Sequence, residues 1–133
     1  MNIPQRKILL AHSNRKERGK LAIMLSQFEH CVSFPDEAKR PNFKDDEFDL
    51  IIVDEFFSQG PGFVFLQHLS KDNRSKTIFL SSASEVERNR CREAMGIYEC
   101  IEKPLTPISL AVIVCDFFIS SNSIKESLVP MGV

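Results

Sequence analysis

Leu50-Ile51-Ile52-Val53 is an unbroken apolar run that ends in two acids, Asp54 and Glu55, and then in the Gly/Pro-punctuated stretch Ser58-Gln59-Gly60-Pro61-Gly62. The run is too short for a helix buried on every side. It fits a strand covered on both faces, as in the middle of a parallel sheet. Open α/β sheets bind ligands outside the carboxyl ends of their strands. By pattern alone, Asp54 therefore stands where such a sheet does its chemistry.

The rest of the chain repeats the theme. Ile8–Ala11, Cys31–Phe34, Thr77–Ser81 and Tyr98–Glu102 are further short strand candidates. Between them lie stretches of helical periodicity. Leu21, Leu25 and Phe28 share one face of a helix predicted over Arg15–Phe28, and Leu66 and Leu69 point inward from one over Phe63–Leu69. Ser84 and Glu87 have capping-box spacing before a helix that Gly96 closes. Thr106-Pro107 reads as N-cap and first-turn proline of a last helix ending near Ser120. The segment from Pro35 to Glu47 is the one without a clear pattern: Ala38 and Phe43 suit a helix that Pro41 breaks or shortens. Strand and helix thus alternate five times. The expected fold is a single three-layer α/β/α, flavodoxin-like domain over residues 1–120, with a five-stranded parallel sheet in the order 2-1-3-4-5. Residues 121–133 read as a flexible C-terminal tail.

Composition narrows the function. With 133 residues the chain suits one domain, and a net charge of -1 gives no reason to seek nucleic acid or an acidic membrane. The basic cluster Arg15-Lys16-Glu17-Arg18 is interrupted by an acid and reads as a solvated helix face. The N-terminus lacks a signal-peptide pattern, and no apolar run approaches membrane-spanning length. Cys31, Cys91, Cys100 and Cys115 show no metal-ligand spacing. The expectation is a reduced, cytoplasmic protein that binds neither membrane nor nucleic acid.

Parallel strands put all their carboxyl ends on one edge. That edge collects His12 and Ser13 from strand one, Asp54 from strand three, Ser82 from strand four, and Lys103-Pro104 from strand five. A carboxylate, a hydroxyl and an ammonium converging there suit a transferable phosphoryl group. The acid carries it while the other two stabilise its oxygens.

On these residues the chain resembles the response-regulator receiver domain, the phosphoacceptor module of two-component signalling, over roughly Lys7 to Ser120. The matching motifs are Asp54 with Gly62 eight residues later, Ser82-Ala83 after strand four, and Lys103-Pro104 after strand five, a peptide that is typically cis in that family. The resemblance implies a non-enzymatic module. Asp54 would be phosphorylated by a histidine kinase or phosphotransfer protein, Ser82 and Lys103 would assist, and a downstream signalling protein would read the result.

Two departures bear on that reading. The family's acidic pair after strand one, which binds Mg²⁺ together with the acceptor aspartate, is His12-Ser13 here. Mg²⁺ takes oxygen ligands and usually carboxylates, so a site resting on Asp54 alone is expected to bind it weakly or not at all. Glu55 is expected on the opposite side of the strand. His12 reads either as a partly exposed strand-end histidine, the plainer reading, or as a protonated stand-in for the metal paired with Asp54. The aromatic residue that the family tends to carry three before the lysine is Cys100, with Tyr98 nearby. Three readings follow: a phosphorylated receiver, a phosphorylation-independent pseudo-receiver, and a flavodoxin-like small-ligand binder. Against the last, no Gly-rich phosphate loop follows strand one.

The last helix is apolar nearly all round. Leu110, Ile113, Val114, Phe117 and Phe118 form its inward stripe, while Ile108, Ala111, Val112, Cys115 and Ile119 fill much of the opposite side, where Ile108, Val112, Cys115 and Ile119 mark an expected interface for a partner or a homodimer.

Overall fold

The apolar runs are separated by stretches too long for tight hairpins, so parallel pairing through helical crossovers is the economical solution. The computed structural model describes residues 6–12, 14–28, 30–34, 44–57 and 60–128, with residues 57, 60 and 122–128 described by their backbone only. In chain order the elements are β1 (Lys7–Ala11), α1 (Arg15–Gln27), β2 (Cys31–Ser33), β3 (Leu50–Asp54), β4 (Phe56–Phe57), β5 (Gly60–Pro61), α2 (Gly62–Gln67), α3 (Lys71–Ser75), β6 (Thr77–Ser81), α4 (Glu85–Met95), β7 (Glu99–Glu102) and α5 (Pro107–Leu128). The main sheet runs β2-β1-β3-β6-β7, every pair parallel. Numbered within that sheet, this is the expected order 2-1-3-4-5. A small antiparallel ribbon, β4 with β5, stands where the sequence suggested a plain loop.

Every residue of β3 and β6 is buried, and the apolar stretches Leu50–Val53 and Ile78–Leu80 match cover on both faces. Side-chain alternation divides the core in two. Ile8, Leu10, Leu50, Ile52, Ile78 and Leu80 face Leu21 and Leu25 of α1 and Leu110, Val114, Phe117 and Phe118 of α5. Leu9, Ala11, Ile51, Val53 and Phe79 face Phe65, Leu66, Leu69 and Ile97 on the other side. Each large side chain so covered contributes about 1.5–3 kcal/mol.

The predicted helix ends are found where hydrogen bonds can close them. Asn14 Oδ1 accepts from the Glu17 N–H at 3.1 Å, Ser84 Oγ from the Glu87 N–H at 3.3 Å, and Thr106 Oγ1 from the Ser109 N–H at 3.2 Å. Gly96, at φ 65°, closes α4 in the left-handed region.

Four expectations need correction. Phe28 is 50% exposed rather than inward, because α1 ends at Gln27 and the backbone turns at Phe28. The helix predicted over Phe63–Leu69 stops at Gln67, and a separate short helix, α3, follows. Ala111, expected on the outer side of the last helix, is 5% exposed, because it shares the inward face with Val114 and Phe118 three and seven residues on. The last helix continues past Ser120 to Leu128, so residues 121–128 are helical rather than the start of a tail. The expectations for Ala38, Pro41 and Phe43, and for residues 129–133, lie outside the described residues.

Candidate functional site

Strand pairing sets the site. Register places Asp54 beside Leu80 of β6, and Leu80 beside Ile101 of β7. The next residues of each strand therefore share one edge. The Lys103 N–H donates to the Ser81 carbonyl at 2.9 Å, fixing the lysine just beyond β7. Its Nζ lies 2.9 Å from Asp54 Oδ1, and the Lys103–Pro104 peptide is cis. Asp54 is 1% exposed, so its charge depends on this partner. Its other oxygen, Oδ2, accepts from the Phe56 N–H at 2.9 Å. A Cβ on Gly62 would collide with the Asp54 carbonyl oxygen, so the turn back from the strand requires glycine here. The Gly62 N–H donates to the Glu55 carbonyl at 2.8 Å.

Glu55 does not point away. The strand ends at Asp54, so pleat alternation no longer governs the next residue. Glu55 Oε1 lies 3.6 Å from Lys103 Nζ, and Oε2 accepts from the Ser82 N–H at 3.0 Å. Burial pushes its pKa up, but donation from the Ser82 backbone and hydroxyl, together with the Lys103 charge, pulls it below the usual value. Ser82 is exposed at the rim and engaged with Glu55. Lys103 also lies over the Phe56 ring, 5.7 Å from its centroid.

His12 stands beside Asp54, as one reading of the sequence had it, but without the charge that reading gave it. It is 5% exposed, so it is not a partly solvated strand-end residue. Its Nε2 faces Asp54 Oδ1 at 3.6 Å, while Nδ1 accepts from the Asn14 N–H at 3.2 Å. Burial lowers its pKa below 6.5, with Asp54 partly opposing, so near neutral pH the ring is uncharged. The acceptor role of Nδ1 leaves the proton of the neutral ring on Nε2, directed at the carboxylate. His12 is thus a neutral donor and not a protonated counter-ion. Ser13 lies outside the described residues.

These groups line a crevice of about 470 Å³, which Glu17 of α1 also reaches. The carboxylates of Asp54, Glu55 and Glu17 line it beside the His12 imidazole and the Lys103 ammonium. Among the described residues no cluster of three or more His, Cys, Asp or Glu is arranged to hold a metal ion.

No family model matches the chain, and no curated protein sequence matches it. Solved structures do. The chemotaxis response regulator CheY4 of Vibrio cholerae superposes with a TM-score of 0.70 at 20% identity, covering 86% of this chain and 99% of that one. The non-phosphorylated HemR receiver domain of Leptospira biflexa gives 0.73 at 23%, over 85% and 94% of the two chains. The signal receiver domain of an HD domain-containing protein from Pseudomonas fluorescens gives 0.72 at 22%, over 96% and 98%. The chain has the fold of a response-regulator receiver domain. At such identities the likeness is one of fold. Within this receiver fold, Asp54, Ser82 and Lys103 stand on one edge as the sequence suggested. Glu55 and Phe56 were missed, because neither follows the alternation of the strand before them. Tyr98, the nearest aromatic to the Cys100 position, packs edge-on against Phe117 with centroids 4.8 Å apart, away from the crevice. No helix among the described residues is long and apolar enough to cross a membrane.

Proposed function

We propose that the chain is a signalling module of the receiver type, acting in phosphorelay through protein–protein contacts and not as an enzyme in its own right. Asp54 is its phosphoacceptor, with Lys103 and Ser82 stabilising the transferred group. The observation that carries this reading is the 2.9 Å approach of Lys103 to a buried carboxylate at the carboxyl edge of the sheet. The donor is a histidine kinase or phosphotransfer protein, and the setting is the cytoplasm, where the free cysteines stay reduced. The test is incubation of the full chain with acetyl phosphate, followed by intact mass. One phosphoryl adduct, absent from Asp54→Asn, is expected.

A second reading, the phosphorylation-independent pseudo-receiver, is favoured by His12 standing in place of an acid and by the closed Asp54–Lys103–Glu55 group. Absence of any adduct selects it. The small-ligand binder has less support, since no Gly-rich phosphate loop follows β1.

The contact surface is the outer side of α5. Ile108, Val112 and Ile119 are 67%, 55% and 63% exposed, with Cys115 half-buried between them. The spacing makes one continuous apolar stripe suited to a second copy or a downstream protein. Sedimentation of the native chain at high concentration is expected to show a dimer that Ile119→Glu abolishes. A monomer in both leaves the stripe to a different partner.

A further inference from the structure

We infer that the Asp54 site is built to accept a phosphoryl group without a divalent metal, His12 and Lys103 supplying the donors that a cation would otherwise supply. This rests on the reading of Asp54 as phosphoacceptor. It starts from a mismatch between the receiver fold and the donors at its carboxyl edge. A phosphoryl anion approaching a group of three carboxylates needs a cation to offset their repulsion. Here one of those positions is a buried neutral imidazole, and Asp54 already has an ammonium at 2.9 Å. On the β1 side the acceptor therefore meets an N–H and not a further negative charge, while Glu55, which lines the crevice together with Glu17, is held by Lys103 and the Ser82 N–H.

The imidazole is also oriented. Its Nδ1 is occupied by the Asn14 N–H, and Asn14 is itself held as the cap of α1 through Glu17. The ring therefore presents Nε2–H to the crevice, 3.6 Å from Asp54 Oδ1. That oxygen is buried with the Lys103 ammonium at 2.9 Å as its mobile ion-pair partner, while Oδ2 is held by the Phe56 N–H. Oδ1 is the oxygen left to react. The other charged groups facing the ring are Lys103, Glu17 and Arg18.

In the step that follows, Oδ1 attacks phosphorus of an acyl phosphate. The Oδ1–P bond forms as the donor's P–O bond breaks, and the carboxylate leaving group departs with the electron pair. Lys103 passes from Asp54 to the phosphoryl oxygens, and the Nε2–H of His12 donates to another of them. No proton or metal is consumed. Such preorganised donors are what stabilises charge on phosphoryl oxygens.

The experiment uses the full chain with acetyl phosphate in EDTA and, separately, in Mg²⁺, read by intact mass. The adduct is expected at similar rates in both, absent from Asp54→Asn. His12→Leu is expected to slow it roughly a hundredfold. His12→Gln, which keeps an N–H at the Nε2 position, restores most of the rate and so distinguishes donation from mere space-filling. A second readout needs no reaction: amide NMR shifts of Phe56 and Ser82 stay fixed on Mg²⁺ titration of the native chain and move in His12→Asp. An adduct that forms only with Mg²⁺, or native-chain shifts at those amides, overturns the inference while leaving Asp54 as acceptor. No adduct under either condition overturns the reading of Asp54 and this inference with it.

Discussion

On the β3–β6–β7 side of the crevice the charged groups hold one another. Asp54 meets Lys103, Lys103 meets Glu55, and Glu55 is held by Ser82, each fixed by backbone just past a strand end. On the β1 side a single uncharged ring faces the same carboxylate across 3.6 Å, steadied by one backbone N–H. The first side is an ion cluster in which loss of Lys103 strands the buried charge of Asp54. The second is a neutral donor whose removal strands no charge and frees only the Asn14 N–H.

That contrast can be broken by mutation. The largest expected effect is at Gly62, where any Cβ meets the Asp54 carbonyl. Gly62→Ala should cost about 3 kcal/mol or more in urea unfolding, the upper end of overpacking. Lys103→Met comes next. It leaves Asp54 uncompensated at 1% exposure, and because the lysine is itself one-quarter exposed the expected loss is about 2–3 kcal/mol. Adding Asp54→Asn should recover much of it; no recovery would mean that the pair is not what stabilises this side. On the β1 side, His12→Gln should change stability at neutral pH by less than about 1 kcal/mol.

The smallest effect is one of pH. Burial lowers the pKa of both His12 and His30 from 6.5. Above that pH neither state binds a proton at these rings, so they add no pH dependence. As pH falls below it, the unfolded chain takes up protons that the native protein does not, and stability declines toward the folded pKa values. The limit is about 1.4 kcal/mol per pH unit for each ring. Urea midpoints between about pH 7.5 and 5.5 should therefore fall, and fall less in His12→Gln. An unchanged midpoint would mean that His12 is solvated and that the two sides do not differ as described.

Much of this was legible in the chain. Leu50–Val53 had to be a central strand because only two-sided burial makes so short a run wholly apolar, and Thr77–Ser81 reads as a further short strand. Their order then placed Asp54, Ser82 and Lys103 on one edge without any knowledge of side-chain geometry. Ser84, Gly96 and Thr106 announced helix ends because capping is a local affair between residues three or four apart.

What the chain did not disclose depends on atoms far away in sequence. Glu55 leaves the pleat because its strand ends, and it turns inward because Lys103 and the Ser82 N–H wait there. His12 is uncharged because α1 and β3 bury it, and its proton sits on Nε2 because the backbone bends back at Asn14 to occupy Nδ1. Local pattern thus determined which residues share the edge. Only the packed structure decided their charge, their tautomer and their direction, since each of these is set by what tertiary contact brings within about 4 Å.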